Sequence, residues 1–471
     1  MGQIDAQASI VITLAVIAYI AFTSWLTYRL RSRSNSDFMV ASRAMPAVVV
    51  GILLMSEFIG AKSTIGTAQE AFNSGMGAAW SVLGASIGFL LFRLFFVKRI
   101  YGSGEYTISA AISKKFDRTT MTVVSLIMMY ALLLVNVGNY ISGAAAIQQV
   151  LHLDMFWAMV IIAAVSTFYY FFGGLKGVAY VTLIHSGMKM MGIAVVASVA
   201  LVAAGGIAPM KAALPHYYFT WDGTIGWSTI AAWTIATIGS IFSTQYIIQA
   251  ISSTRSADDA GRAALWAAAF CLPIGFALAL VGVAARYLRP QMDSLYALPM
   301  FLQMMPTWAA TIVTVSLVAS IFVSVSTVAL AIASLIIRDF YVPYRKPDEA
   351  QQFRATRLAA IVIAFVPLLF AMFVPEILEL SFFTRALRLS ITIVAMVGFT
   401  LPGFATSRGA TLGLAGSAVV TTAWYLLDNP YGIDNIYVAL VVPILVMAVE
   451  RLFAFGARMP RAPHMPEGDD L

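Results

Sequence analysis

The chain has 471 residues, 60% of them hydrophobic and 11% charged, with a mean hydropathy of +0.86, whereas a soluble domain carries roughly 25% charged residues. This composition excludes a water-soluble globular fold and marks an integral membrane protein. A net charge of +7 and a pI near 9.4 would suggest nucleic acid in a soluble protein, but here the basic residues flank apolar segments and face anionic lipid, so no nucleic-acid partner follows.

Thirteen apolar runs lie near residues 8–29, 45–66, 75–97, 119–150, 154–173, 178–206, 225–251, 262–285, 308–337, 355–378, 384–405, 409–427 and 433–455. Each is long enough to cross a hydrocarbon layer about 30 Å thick as a helix, whereas barrel strands would be about half that length and would alternate. The predicted class is an all-α polytopic membrane protein with about 13 transmembrane helices in one domain, 1–471. The first run follows "MGQIDAQ", with no basic region and no small-residue cleavage site, and reads as a retained extra helix at 8–29. Cys271 is the single cysteine, which leaves no intrachain disulfide framework. The stretch 456–471 reads as a short polar tail.

Of the 29 Lys and Arg, 21 fall in inner loops and helix ends if the N-terminus is outside. Inner loops then hold Arg29, Arg31, Lys98, Arg99, Lys114, Lys115, Arg345 and Lys346 among others, while outer loops hold Lys211, Arg286 and Arg289. Basic residues resist translocation, so the C-terminus is expected inside. Lys62, Arg93, Lys189, Arg385 and Arg388 are left in or at the edge of apolar runs.

Segment 2 carries Gly51, Gly60 and Gly66 around Glu57, Lys62, Ser63 and Thr64. A charge at mid-bilayer costs roughly 2.5–3.5 kcal/mol, so something local must compensate it. A broken helix lining a cavity is one reading, and a re-entrant kink in which Glu57 and Lys62 pair structurally is the other. Segment 6 places Thr182, His185, Ser186 and Lys189 on one stripe, with Lys189 too deep for easy snorkelling. His185 is either a packed histidine or a titratable partner of that lysine. Segment 7, "TIATIGSIFSTQY", crowds Thr234, Thr237, Gly239, Ser240, Ser243 and Thr244 into apolar helix. Interrupted segments second and seventh suggest two five-helix repeats, 45–206 and 225–405, followed by two C-terminal helices at 409–455. Segment 9 aligns Ser320, Ser324 and Thr327 on one face, where they either help to hold a small cation or bond back to their own helix. There is no Walker sequence, dinucleotide fingerprint or metal-type His/Cys cluster, so nothing points to an enzyme.

Five stretches, "DFMVASRAM", "FFVKRIYGSGEYTISAAISKKFD", "GGLKGVAYVTLIH", "STQYIIQAISSTRSADDAGRAA" and "ASLIIRDFY", resemble, in order, the sodium:solute symporters. The resemblance runs from about Asp37 to Gly403. It implies a LeuT-type 5+5 inverted repeat with broken helices 2 and 7, in many bacterial members a thirteen-helix form, and hence a bacterial inner membrane. Position by position, it implies a sodium site at the carbonyls of Ser56 and Ile59 with Ser320, Val323 and Ser324, and a substrate pocket beside Lys62, Ser63, Thr237, Ser240 and the region Ser381, Arg385 and Arg388. Two departures stand out. Family members commonly have adjacent hydroxyl residues where this chain has Val323 and Ser324, and an aspartate where it has Thr182. Both remove oxygen that sodium would want. Lys62 and Lys189 add positive charge in the same neighbourhood, and an ammonium can occupy the place of a cation. Glu57 is expected to neutralise Lys189 or Lys62.

The resulting expectation is a secondary active transporter importing a small carboxylate-bearing solute, an organic acid or amino acid, by alternating access. Polar pocket positions of sugar-transporting members fall on Val82 and Cys271, which suit a sugar ring poorly, whereas an arginine fork suits a carboxylate. Sodium, protons or no ion are the alternatives for coupling. No cofactor is expected beyond Na+, and no partner beyond the solute and the lipid bilayer, with no obligatory protein partner. The rival reading is a solute sensor of symporter-like fold.

Overall fold

The computed structural model describes residues 6–32, 34–151, 153–371, 377–401 and 403–456. The side chain of Lys62 lies outside the described set, as do those of 454–471, so the expectations for Lys62 and for the tail fall there. Among the described residues the chain is helical, and one isolated bridge, Met45 with Thr254, replaces any sheet.

The principal helices are α1 (Ala6–Arg29), α2 (Ala47–Phe58), α3 (Ala61–Ser74), α4 (Trp80–Phe95), α5 (Arg118–Leu151), α6 (Met155–Ala203), α7 (Trp227–Ser243), α8 (Gln245–Ser252), α9 (Ala257–Leu288), α10 (Thr307–Leu335), α11 (Glu349–Ala371), α12 (Ile377–Thr400), α13 (Ser407–Leu426) and α14 (Asn435–Gly456). Nine helical stretches among the described residues are, taken singly, long and apolar enough to cross a membrane. The run at 45–66 is split between α2 and α3, that at 225–251 between α7 and α8, and those at 154–173 and 178–206 join as the two arms of α6. The two segments expected to break do so.

α6 turns at Gly174, where φ is 54° and ψ is −160°. A Cβ there would stand 2.7 Å from Phe38 Cα. Glycine is required twice over, by backbone conformation and by space. α10 is the central helix, buried along almost its whole length.

The five stretches that carry the resemblance meet at one end of the bundle. Gln249 donates to Met39 O at 2.7 Å, and Met45 N to Ser253 O at 3.0 Å. Lys176 pairs with Asp37 at 3.4 Å, and Arg43 donates to Gly104 O at 2.7 Å. Gln245 accepts from Ile108 N and donates to Tyr106 O and Ser334 Oγ. The buried Asp339, just past α10, accepts from Thr107, Ser109 and Ser125, and its neighbour Arg338 pairs with Glu105 at 3.0 Å. Buried polar groups are retained when fully bonded, and this network fastens the ends of five segments together.

Gly174→Val is expected to lower the thermal unfolding midpoint in detergent through about 1–3 kcal/mol of backbone strain plus the clash with Phe38. An unchanged midpoint would show that α6 tolerates a different bend.

Candidate functional site

Gly60 separates α2 from α3, with ψ near −177°, and the preceding Ile59 has left helical geometry at φ −96°, ψ 73°. A Cβ on Gly60 would lie 2.5 Å from Ser324 Oγ, so the break is pressed against α10. Breaking a helix in a dry interior frees carbonyls that need donors. Thr64 donates to Gly60 O at 3.0 Å and Ser63 to Phe58 O at 3.0 Å. Lys189, reaching across from α6, donates to Ser56 O at 3.0 Å, Ser56 Oγ at 2.9 Å and Ile59 O at 2.6 Å. Lys189 is 1% exposed.

The second break lies between Ser243 and Gln245, where Thr244 takes ψ 127°. Ser243 donates to Gly239 O and to Arg388 O, and Thr392 donates to Gly239 O. Arg388 returns a bond to Thr244 Oγ1 at 2.9 Å. α12 is thereby tied to the break in α7–α8.

Between the breaks is a small cavity of about 30 Å³, room for one or two waters. Its wall includes Glu57, Phe58 and Gly60 at the first break, Ser63 on α3 and Asn139 on α5. Tyr246 on α8, Ser324 on α10, and Ser381, Arg385 and Arg388 on α12 also line it, with Val135 and Val328 as its apolar part. Arg385 donates to Thr237 Oγ1 at 2.9 Å and lies over the rings of Phe58 and Phe382, 4.9 and 4.6 Å from their centroids. Both arginines are buried, and among the described residues neither has a carboxylate within ion-pair distance. Glu57 accepts from Thr327 through one oxygen, while its other oxygen is buried without a partner.

Glu57 does not pair directly with Lys189: the ammonium is drawn instead to the freed carbonyls of the residues on either side of Glu57, and Thr327 takes the carboxylate. Along α10, Ser320 donates to Ser316 O and Ser324 to Ser320 O, so these hydroxyls bond back to their own helix. Val323 O receives Thr327. Ser240 likewise donates to Thr237 O. Thr182 Oγ1 is buried and unpartnered, as is His185 Nε2, whereas His185 Nδ1 is 2.5 Å from the Tyr19 hydroxyl of α1. Val82 and Cys271 are buried and do not line the cavity.

Asn139, Tyr246, Phe58 and Tyr19 are site residues that the sequence reading did not single out. Asn136 and Asn139 carried a signal, since two amides three residues apart in an apolar run share a face. Tyr19 carried none, because its role depends on α1 packing against α6. A larger groove of about 630 Å³ between α13 and α14, lined by Leu412, Leu445 and Val449 among others, lies away from both breaks and has the apolar wall expected of a surface facing lipid.

The sequence matches the description "Sodium:solute symporter family" over residues 38–401. It is similar to the sodium/glucose cotransporter of Vibrio parahaemolyticus, with 23% identity over 464 residues, 89% of this chain and 85% of that one. Among solved structures it is similar in fold to a Na+-coupled sialic acid symporter in a substrate-bound outward-open state, with a TM-score of 0.80 and 18% identity over 94% of this chain and 98% of that one. It is also similar to a nucleobase-cation-symport-1 family transporter in a closed conformation, with a TM-score of 0.62 and 14% identity over 91% and 96%.

Thr327→Val is expected to destabilise the protein by about 1–3 kcal/mol, because it leaves both Glu57 oxygens without a donor. Thr327→Ser is expected to stay near wild type. Equal unfolding midpoints for the two variants would show that the Thr327–Glu57 bond contributes nothing.

Proposed function

Because this chain belongs to the sodium:solute symporter family and is therefore a secondary active transporter and not an enzyme, we propose that its cargo is a small solute bearing a carboxylate, an organic acid or amino acid. The observation that supports this cargo is the pair Arg385 and Arg388, buried against a small cavity and lacking a carboxylate partner among the described residues. A guanidinium presents a planar fork that matches a carboxylate, and the low dielectric strengthens the pairing.

At about 30 Å³ the cavity is too small for such a solute, so the bundle must open to admit it. The chain is built from two five-helix repeats, 45–206 and 225–405, and its hash and bundle halves rock around a site between segments 2, 7 and 9, with the N-terminus outside and the C-terminus in the cytoplasm of a bacterial cell. Sodium is the coupling ion that family membership suggests. Protons or exchange without an ion are the alternatives raised by Lys189, Thr182 and Val323.

Reconstitution into liposomes with a labelled panel of monocarboxylates, amino acids and neutral sugars, under separately imposed sodium and pH gradients, tests the cargo. Saturable accumulation of a carboxylate is expected, and Arg385→Gln is expected to reduce it about tenfold or more with little change in the unfolding midpoint. Preferential uptake of a neutral sugar would overturn the cargo. Saturable binding without accumulation would favour the sensor.

A further inference from the structure

A neutral amine has two N–H donors and an ammonium has three. Lys189 Nζ lies within 2.6–3.0 Å of three oxygens, Ser56 O, Ser56 Oγ and Ile59 O, a set that the three N–H groups of an ammonium fill completely. Its acceptors are two carbonyls released by the break and one hydroxyl, the ligand type that a small hard cation takes. The space between Ser56 and Ile59 is therefore filled by a side chain. No sodium ion can take those oxygens while the ammonium holds them.

The surroundings do not rebuild the site elsewhere. Ser320 and Ser324 donate to carbonyls of their own helix, and Val323, where the resembling family has a second hydroxyl, carries no side-chain oxygen. Thr182, on the same stripe as Lys189, is neutral. Glu57 is the carboxylate that acts on Lys189 electrostatically, and its engaged oxygen is turned to Thr327. The described residues thus do not fit a sodium ion at this break.

We propose that Lys189 is a tethered cation that permanently replaces sodium at the α2–α3 break, so that this chain, within a family named for sodium coupling, does not bind sodium there. The inference rests on family membership and not on the carboxylate cargo. A bound sodium ion leaves once per transport cycle, whereas an ammonium on α6 cannot. The positive charge stays beside the cavity throughout, and the link between α6 and the break no longer depends on the external sodium concentration.

Equilibrium binding of 22Na+ to the full-length protein in nanodiscs tests this without any knowledge of the cargo. Wild type is expected to show no saturable sodium binding. Lys189→Ala, which uncovers the oxygens of Ser56 and Ile59, is expected to gain it, and Lys189→Ser, which adds an oxygen, to gain it more strongly. Failure of both variants to bind more sodium than wild type, when their helical content and unfolding midpoint show them folded, overturns the proposal. Should neither variant fold, wild-type uptake of whichever panel solute is transported decides. Accumulation that is unchanged when sodium is replaced by choline supports the tethered cation, and accumulation that requires a sodium gradient overturns it.

Discussion

A carbonyl released from its helix in a dry interior must find a donor, and this requirement organises the centre of the protein. At the first break the donors are Ser63 and Lys189, and beside the second Ser243 and Thr392 tie α7 to α12 through Arg388 O and Gly239 O. Two of these come from distant helices, α6 and α12. Each break is thereby a point where three separately folded helices are fastened together. Gly60 permits the close approach to α10 that brings Ser324 and Thr327 to the same place.

The charges follow from those fastenings. Arg388 completes the second break through Thr244 and then faces the cavity, while Arg385 is held by Thr237 and two aromatic rings. Lys189 completes the first break from the opposite side. One carboxylate, Glu57, stands between these cations with an unpartnered oxygen. The cavity wall holds one negative and two positive side chains, with a third cation directly behind it. Such an interior favours an anionic group, because water is too scarce to screen the field.

Most of the architecture was legible because its signals are local. Run length gave the helices, and Gly60 with Ser63 and Thr64, or Gly239 with Ser243 and Thr244, marked the two interruptions. The stretches that carried the family resemblance were legible too, and they interlock at one end through Gln245, Gln249 and Asp339. That end is scaffold. The cavity residues were only partly legible: Arg385, Arg388, Glu57 and Ser63 were singled out, whereas Asn139 and Tyr246 were not.

The sequence by itself determined that the chain is a helical membrane bundle of this family, that segments 2 and 7 are interrupted, and that buried cations adjoin the interruptions. Helical periodicity and hydropathy act over a few residues, so one chain of letters suffices to read them. Only the tertiary structure decided that Lys189 would bind the carbonyls of Ser56 and Ile59 in preference to Glu57, across 133 residues of sequence. The choice between a carbonyl cage and a neighbouring carboxylate turns on distances of a few ångströms, and packing between α6, α2 and α10 alone sets them.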